Sequence, residues 1–250
     1  MNIGILILAT NTYLPLGMRL VSRFHHFYRG NANIKFYFCS NQNPIAYLKD
    51  EIDIKFIFNM HESWLDGTNS KFKNLLSLGN EDLDYIYYMD ADTNVLQEFD
   101  EEWMLGDTVA AQHFNDQDLQ KDEKAYDRNP ESKAYIPLDT KLPQMYYHGA
   151  FFGGRKANLL EMCQTMQAWQ DEDQLIPYEP AVNDESYINA YFHYNPPAKV
   201  LPYSGFKFWP SDGGGIPSKR NPQSTSYLTK EIIKNKDKLW DIQDNRITYE

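Results

Sequence analysis

The chain has 250 residues, is 42% hydrophobic and carries a formal net charge of −11 with a pI near 5.0. That length suits one large domain or two small ones, the apolar share excludes a disordered chain, and the acidity argues against a nucleic-acid partner, whose phosphates it would repel. No stretch of about 20 apolar residues is present to form a transmembrane helix, and two cysteines, Cys39 and Cys163, imply no disulfide framework. The expected location is cytoplasmic, or peripheral at a membrane face.

Ile3 to Ala9 is a continuous apolar run without a basic flank or a small-residue cleavage site, so it reads as a first strand buried on both faces rather than a signal peptide. Tyr13-Leu14-Pro15 turns the chain, and Leu16, Leu20, Phe24 and Phe27 recur at helical spacing until Gly30. Strands follow at 34–39 and 54–58. Trp64 to Thr68 leads into a helix carrying Phe72, Leu75, Leu76 and Leu78, closed by Gly79. Strand, helix, strand, strand, helix, strand over the first 95 residues is a Rossmann-like half-sheet.

The last of these strands, Tyr85 to Met89, runs into Asp90-Ala91-Asp92-Thr93-Asn94. Residues two apart on an extended segment share a side, so both carboxylates are expected to face one hard cation, Mn²⁺ or Mg²⁺. Such an ion takes one or two protein carboxylates and completes its shell with water and substrate phosphates, which suggests a nucleotide-diphosphate site. Other readings are a solvated acidic turn, and a phosphohydrolase in which Asp90 is the nucleophile. A calcium loop would match Asp90, Asp92, Asn94 and Glu101 at positions 1, 3, 5 and 12, but Val95 stands where that loop needs glycine. Neither a Gly-x-Gly-x-x-Gly nor a Walker sequence occurs, so phosphates need the metal rather than a glycine loop.

Thr108 to His113 reads as a further strand, and the charged residues 115–142 as a long surface excursion. Met145 to Gly154 is a strand whose small residues admit a close backbone approach. A helix from Ala157 to about Trp169, a separating stretch at 171–180, and a short helix opening at Val182 and ending near His193 come next. From Pro196 onward the chain reads as a mobile tail.

Four blocks together resemble glycosyltransferase family 6, which includes the histo-blood-group A and B transferases and the α-1,3-galactosyltransferases. They are Tyr87-Tyr88-Met89-Asp90-Ala91-Asp92; Ala134-Tyr135-Ile136-Pro137, preceded by Glu131-Ser132; Tyr146-Tyr147-His148-Gly149-Ala150-Phe151-Phe152-Gly153-Gly154; and Asp184-Glu185-Ser186 with Asn189, Tyr191 and Lys199-Val200-Leu201. The resemblance implies an α/β, Rossmann-like GT-A fold, a single domain with a mixed central sheet. It implies a catalytic domain over 1–205, with a nucleotide-binding half at about 1–95 and an acceptor-side half at about 96–205, and a C-terminal tail over 206–250 that closes over the donor.

The resemblance assigns Asp90 and Asp92 to Mn²⁺, with Mg²⁺ as the alternative ion. It assigns Leu8, Ala9, Thr10, Tyr13, Lys71 and Ala91 to the donor, and His113, His148 and Asp184 to the acceptor. His148, Gly149 and Ala150 are the donor-selecting triplet, in which alanine at the third position is associated with UDP-galactose. Glu185 is the catalytic carboxylate, at the acceptor as well. Lys71 stands where the family has arginine, so a point charge replaces a bidentate fork. Val182-Asn183 replaces a Trp-His pair, and the basic segment that closes over the diphosphate has only loose candidates in Lys219, Arg220, Lys230, Lys234, Lys236, Lys238 and Arg246. The function implied is metal-dependent, retaining transfer of galactose from UDP-galactose to a glycan acceptor through an α-1,3 linkage. The alternatives are N-acetylgalactosamine transfer, a phosphohydrolase using Asp90, and a non-catalytic glycan-binding protein.

Overall fold

The structure is a computed structural model that describes residues 1–60, 64–113, 125–142, 145–202 and 208–210. The elements in chain order are β1 (Asn2–Leu8), α1 (Leu14–Phe27), β2 (Asn33–Ser40), β3 (Ile54–Phe58), α2 (Trp64–Asn69), α3 (Lys71–Leu76), β4 (Tyr85–Asp90), β5 (Thr93–Val95), α4 (Glu101–Met104), β6 (Thr108–Gln112), β7 (Tyr147–Arg155), α5 (Lys156–Asp173), α6 (Asn183–Tyr194), β8 (Lys199–Leu201) and β9 (Phe208–Pro210). A seven-stranded sheet has the order β3-β2-β1-β4-β7-β6-β8, and β5 pairs with β9. The sheet is mixed: β1, β2 and β3 are parallel, β6 and β7 antiparallel, β6 and β8 parallel. Ile86, Tyr87, Tyr88 and Met89 are all buried, so β4 is covered on both faces and shows no apolar-polar alternation.

Contacts divide the chain into two compact units. The first contains the described residues of Met1–Glu62, Tyr87–Trp103 and Phe206–Glu250; the second contains those of Ser63–Ile86 and Met104–Gly205. In the first, Pro15 sits in the opening turn of α1, where its missing N–H costs nothing. Gly17 lets α1 approach the sheet, since a Cβ there would lie 2.7 Å from Ala9 Cβ and 2.8 Å from the Phe38 ring. Phe24 stacks edge-on with Phe36 and Phe99, and the buried Arg23 donates from Nε to the Val95 carbonyl at 2.8 Å. These contacts tie α1 to the strand that follows the Asp pair.

In the second unit the Asn189 side chain helps fasten α6 to β7. The buried Asn189 amide donates from Nδ2 to the Tyr147 carbonyl at 2.9 Å, and its Oδ1 accepts the Tyr147 N–H at 2.8 Å. It therefore pairs with the backbone of Tyr147 as a neighbouring strand would. The same Nδ2 also donates to the Glu185 carbonyl within α6.

Three sequence expectations change. The stretch expected only to lead into a helix is itself α2; Ser70 folds back on the Gly67 carbonyl through both its N–H and its hydroxyl, separating α2 from α3. Residues 125–142 are no surface excursion, because Tyr126, Asp127, Ser132, Ala134 and Ile136 are buried. Asp127 and Ser132 find their hydrogen-bond partners internally. Asp127 accepts from the Tyr178 hydroxyl and the Ala181 N–H, and Asp173 accepts from the Ser132 hydroxyl, the Lys133 N–H and the Tyr187 hydroxyl. The chain beyond Pro196 is not wholly a tail either, since β8 and β9 lie within it. The excursion's first part, the basic candidates at 219–246 and the closing tail beyond Pro210 lie outside the described residues.

Asn189→Ala is expected to leave the buried N–H and C=O of Tyr147 without their side-chain partner and to destabilise the protein by about 2–4 kcal/mol. Urea unfolding checks this; a loss below about 0.5 kcal/mol would show that another group replaces the amide.

Candidate active site

The acidic pair and the catalytic candidate are built differently. In the first unit β4 ends at Asp90, and Ala91-Asp92 form a turn before β5. Strand alternation therefore does not align the two carboxylates; the turn sets their relation. Asp92 is buried while Asp90 is half-buried and accepts the Tyr88 hydroxyl on Oδ1 at 2.7 Å. Among the described residues no group of three or more His, Cys, Asp and Glu side chains gathers as a closed metal cage. Two oxygen donors and no sulfur or nitrogen ligand fit Mn²⁺ or Mg²⁺, which leave the rest of their shell to water and phosphate, and do not fit a structural zinc site.

The other residues expected at the nucleotide lie at the end of β1. The buried Ala9 donates its N–H to the Cys39 carbonyl at 2.8 Å, continuing the β1–β2 ladder past Leu8. Thr10 is extended, and a 3₁₀ turn over Asn11–Tyr13 follows. Asn11 holds φ = 51°, a left-handed conformation that asparagine tolerates, and a reciprocal pair of hydrogen bonds with Asn41 fixes it: its N–H to Asn41 Oδ1 at 3.0 Å, and Asn41 Nδ2 to its own Oδ1 at 2.7 Å. The result is a rigid turn at the carboxyl end of the first strand, where open α/β sheets bind ligands.

In the second unit the β6–β7 ladder breaks register. Ala110 pairs with Phe152, but the next residue, Ala111, pairs with His148, so Gly149, Ala150 and Phe151 bulge from the ladder. This is the triplet region singled out from sequence. Side chains take up its backbone donors: the Gly149 N–H donates to Glu185 Oε2 at 2.6 Å, and the Ala150 N–H donates to His148 Nδ1 at 2.9 Å. A nitrogen that accepts cannot carry the proton, so His148 is the tautomer protonated on Nε2. Gly149 is needed for the close approach, because a Cβ there would stand 3.1 Å from Glu185 Oε2 and 3.2 Å from Glu185 Cβ.

Glu185 lies in the first turn of α6, and its side chain is only 15% exposed. Its second oxygen, Oε1, accepts the Tyr146 hydroxyl at 2.7 Å. The carboxylate thus has a donor on each oxygen. Burial, and then the Glu185 charge, pushes the ionisation of Tyr146 far above the usual tyrosine range, so the phenol remains a donor. His113 stacks on His148 with ring centroids 5.0 Å apart and meets the Tyr146 ring edge-on at 5.3 Å. The expected acceptor residues His113, His148 and Glu185 are thus brought together. Asn183 takes φ = 44° immediately before Asp184, a left-handed conformation among non-glycine residues best suited to asparagine or aspartate.

Lys71 and Asp184 form a buried ion pair, Nζ to Oδ2 at 2.7 Å, with side chains 8% and 6% exposed. Lys71 had been expected at the donor, and Asp184 at the acceptor; each has the other as a partner. Sequence reasoning missed Tyr146 and Asn189 as site-building groups, although both lie inside the motif blocks. It also missed that Asp127 and Asp173, far apart in sequence, are both buried and held by hydroxyl and backbone donors.

A mixed sheet with an acidic pair at the end of its central strand, and a carboxylate held at a bulge, defines an α/β protein consistent with the GT-A-like glycosyltransferases. The chain belongs to glycosyltransferase family 6, whose family model matches residues 1–221. It is 41% identical over 76 residues to histo-blood group ABO system transferase 2 of Rattus norvegicus, covering 30% of this chain and 22% of that protein. It is 24% identical over 210 residues to globoside alpha-1,3-N-acetylgalactosaminyltransferase 1 of Homo sapiens, and 26% identical over 220 residues to the Gallus gallus protein of that name. These alignments cover 80% of this chain and 59% and 60% of the two relatives. Among the described residues no helix is long and apolar enough to cross a membrane.

Lys71→Met should remove the cation that faces the buried Asp184 carboxylate and cost about 3–5 kcal/mol of stability, most of it recovered in Lys71→Met/Asp184→Asn. Unfolding measurements on the two single variants and the double variant check this. Unchanged stability of Lys71→Met with a raised KM for nucleotide sugar would instead identify Lys71 as a donor ligand.

Proposed function

We propose that the chain transfers galactose from UDP-galactose to a hydroxyl of a glycan acceptor, with retention at the anomeric carbon and formation of an α-1,3 linkage. The observation that carries this reading is the Glu185 carboxylate, partly buried and fixed by a donor on each oxygen at the β7 bulge. Retaining transfer passes through an oxocarbenium-like transition state, which a carboxylate on the β face stabilises by charge or traps covalently. The relatives' names, which specify ABO transfer and α-1,3 transfer of N-acetylgalactosamine, support the reaction type.

In this reading Leu8, Ala9, Thr10 and Tyr13 take the nucleoside, with Ala91 beside it, and Asp90 and Asp92 would hold Mn²⁺ or Mg²⁺. The bound cation supplies charge to stabilise the departing diphosphate. His113, His148 and Asp184 serve the acceptor, with Lys71 holding Asp184 in its charged form. The bond between the anomeric carbon and the diphosphate oxygen breaks with its electron pair leaving on UDP, and an acceptor hydroxyl oxygen bonds to the same face as its proton passes to the departing diphosphate oxygen. We place this chemistry in a catalytic domain over 1–205.

Ala150 directs the choice of sugar. Its side chain is buried, and one methyl group fills room that an acetamido group would need. The name of the globoside relatives favours N-acetylgalactosamine as the second reading. UDP release from both donors, with Mn²⁺ or EDTA, by wild type, Asp92→Asn and Glu185→Gln separates these readings. The expected outcome is turnover that EDTA abolishes, a galactose preference of about tenfold or more, and a loss of about 100-fold or more in each variant. Preference for the acetamido sugar would reverse the donor assignment. Release of inorganic phosphate from simple esters with no UDP-sugar turnover would make Asp90 a phosphohydrolase nucleophile, and binding of glycan without either reaction would leave a lectin.

A further inference from the structure

Tyr146 immediately precedes β7, and its phenol and the Gly149 N–H of the β7 bulge each hold one oxygen of the Glu185 carboxylate. We propose that Tyr146 is a positioning residue that sets the rotation of the Glu185 carboxylate, so that the oxygen meeting the sugar is determined before substrate arrives. This inference rests on the proposed transferase reading, and nothing in the family blocks assigns Tyr146 that task.

The geometry supports it in three ways. First, a glutamate side chain has three rotatable bonds, and the backbone donor at Oε2 fixes the place of one oxygen but leaves the carboxylate free to turn about that contact. The second donor, at 2.7 Å on Oε1, removes that freedom. Second, Tyr146 is itself held without its hydroxyl: its ring meets His113 at 5.3 Å and Tyr126 at 5.2 Å, and its carbonyl accepts the His113 N–H at 2.9 Å. The hydroxyl is therefore not needed to place the ring. Third, the other ionisable groups near the carboxylate are committed elsewhere. His148 Nδ1, 3.9 Å from Oε2, accepts the Ala150 N–H, and Asp184 is paired with Lys71. Of the side chains whose bonds are described here, only Tyr146 donates to the carboxylate itself. Buried and beside an anion, its phenol does not act as a base.

Tyr146→Phe removes the one hydroxyl and keeps the ring. With saturating Mn²⁺, kcat for UDP-sugar turnover is expected to fall about tenfold or more while KM changes less than about twofold, because the oxygen is misplaced in the transition state rather than in ground-state binding. In a Glu185→Gln background, the added Tyr146→Phe change should lower the residual kcat by less than about twofold, since a residue that acts through Glu185 has nothing left to position. Thermal unfolding within a few degrees of wild type for Tyr146→Phe would confirm an intact fold. A loss of kcat that persists in full in the Glu185→Gln background, or a loss confined to KM, would overturn the positioning role. Equal kcat in Tyr146→Phe and wild type would do the same. Absence of UDP-sugar turnover by the wild type would instead overturn the transferase reading beneath it, a result distinguishable because it appears before any variant is made.

Discussion

The constraint on which the second unit depends is that backbone N–H groups released at the β7 bulge must find acceptors. A buried amide without a partner costs about 1–3 kcal/mol, and the bulge disturbs the ladder around Gly149, Ala150 and Phe151. The chain answers with side chains, Glu185 for Gly149 and His148 for Ala150, while Asn189 takes the N–H of Tyr147, which still pairs in register with Gln112 just before the bulge. Two of these three acceptors are the residues singled out for chemistry. The need to satisfy the bulge and the need to fix a carboxylate and an imidazole are therefore met by the same bonds, and the bulge is not separable from the site it builds. Helix α6 provides Asn189 and Glu185 one turn apart, so a single helical face supplies both anchors.

The acidity of the chain has a counterpart in how its buried acids are held. Asp127 and Asp173 are fully or nearly fully buried and accept from hydroxyls and backbone amides rather than from a cation. Asp184 has a lysine instead. Hydrogen bonds to a carboxylate are stronger than neutral ones and avoid the desolvation of a second charge, so tyrosine and serine hydroxyls are an economical way to hold an anion inside. Burial and the nearby carboxylates push Tyr187 and Tyr178 upward, Tyr178 to about 12, which keeps both as donors at any ordinary pH. The high tyrosine content thus serves, in part, as the donor set for buried carboxylates.

The legibility of the fold follows from the same physics. Strands β1 to β4 are apolar runs buried on both faces, and composition alone marks such runs. Their ends were placed within about two residues, and Asp90 and Asp92 stood out because polar residues at the end of a buried strand are conspicuous. What pattern could not show was register: a shift between Ala110 and Ala111 changes no residue type, so the bulge and the donors it presents to Glu185 and His148 were invisible. The stretch 125–142 misled because its charges look solvated, whereas Asp127 is satisfied by turns and hydroxyls far away in sequence. Lys71 misled in a related way. Its position matched a family arginine, but its partner, Asp184, is more than 100 residues along the chain and becomes a neighbour only through the packing of the second unit.

His148 carries the argument one step further. With Nδ1 accepting the Ala150 N–H, the ring proton lies on Nε2. That bond runs to the backbone of residue 150, whereas the proposed selection between galactose and its acetamido derivative runs through the side chain of the same residue. Glycine in place of Ala150 keeps the N–H and removes only the methyl group, so donor choice can change without disturbing the tautomer. Proline would remove the N–H and disturb both. The separation of these two duties between backbone and side chain allows a single position to tune the sugar while the imidazole and the carboxylate stay as the bulge has set them.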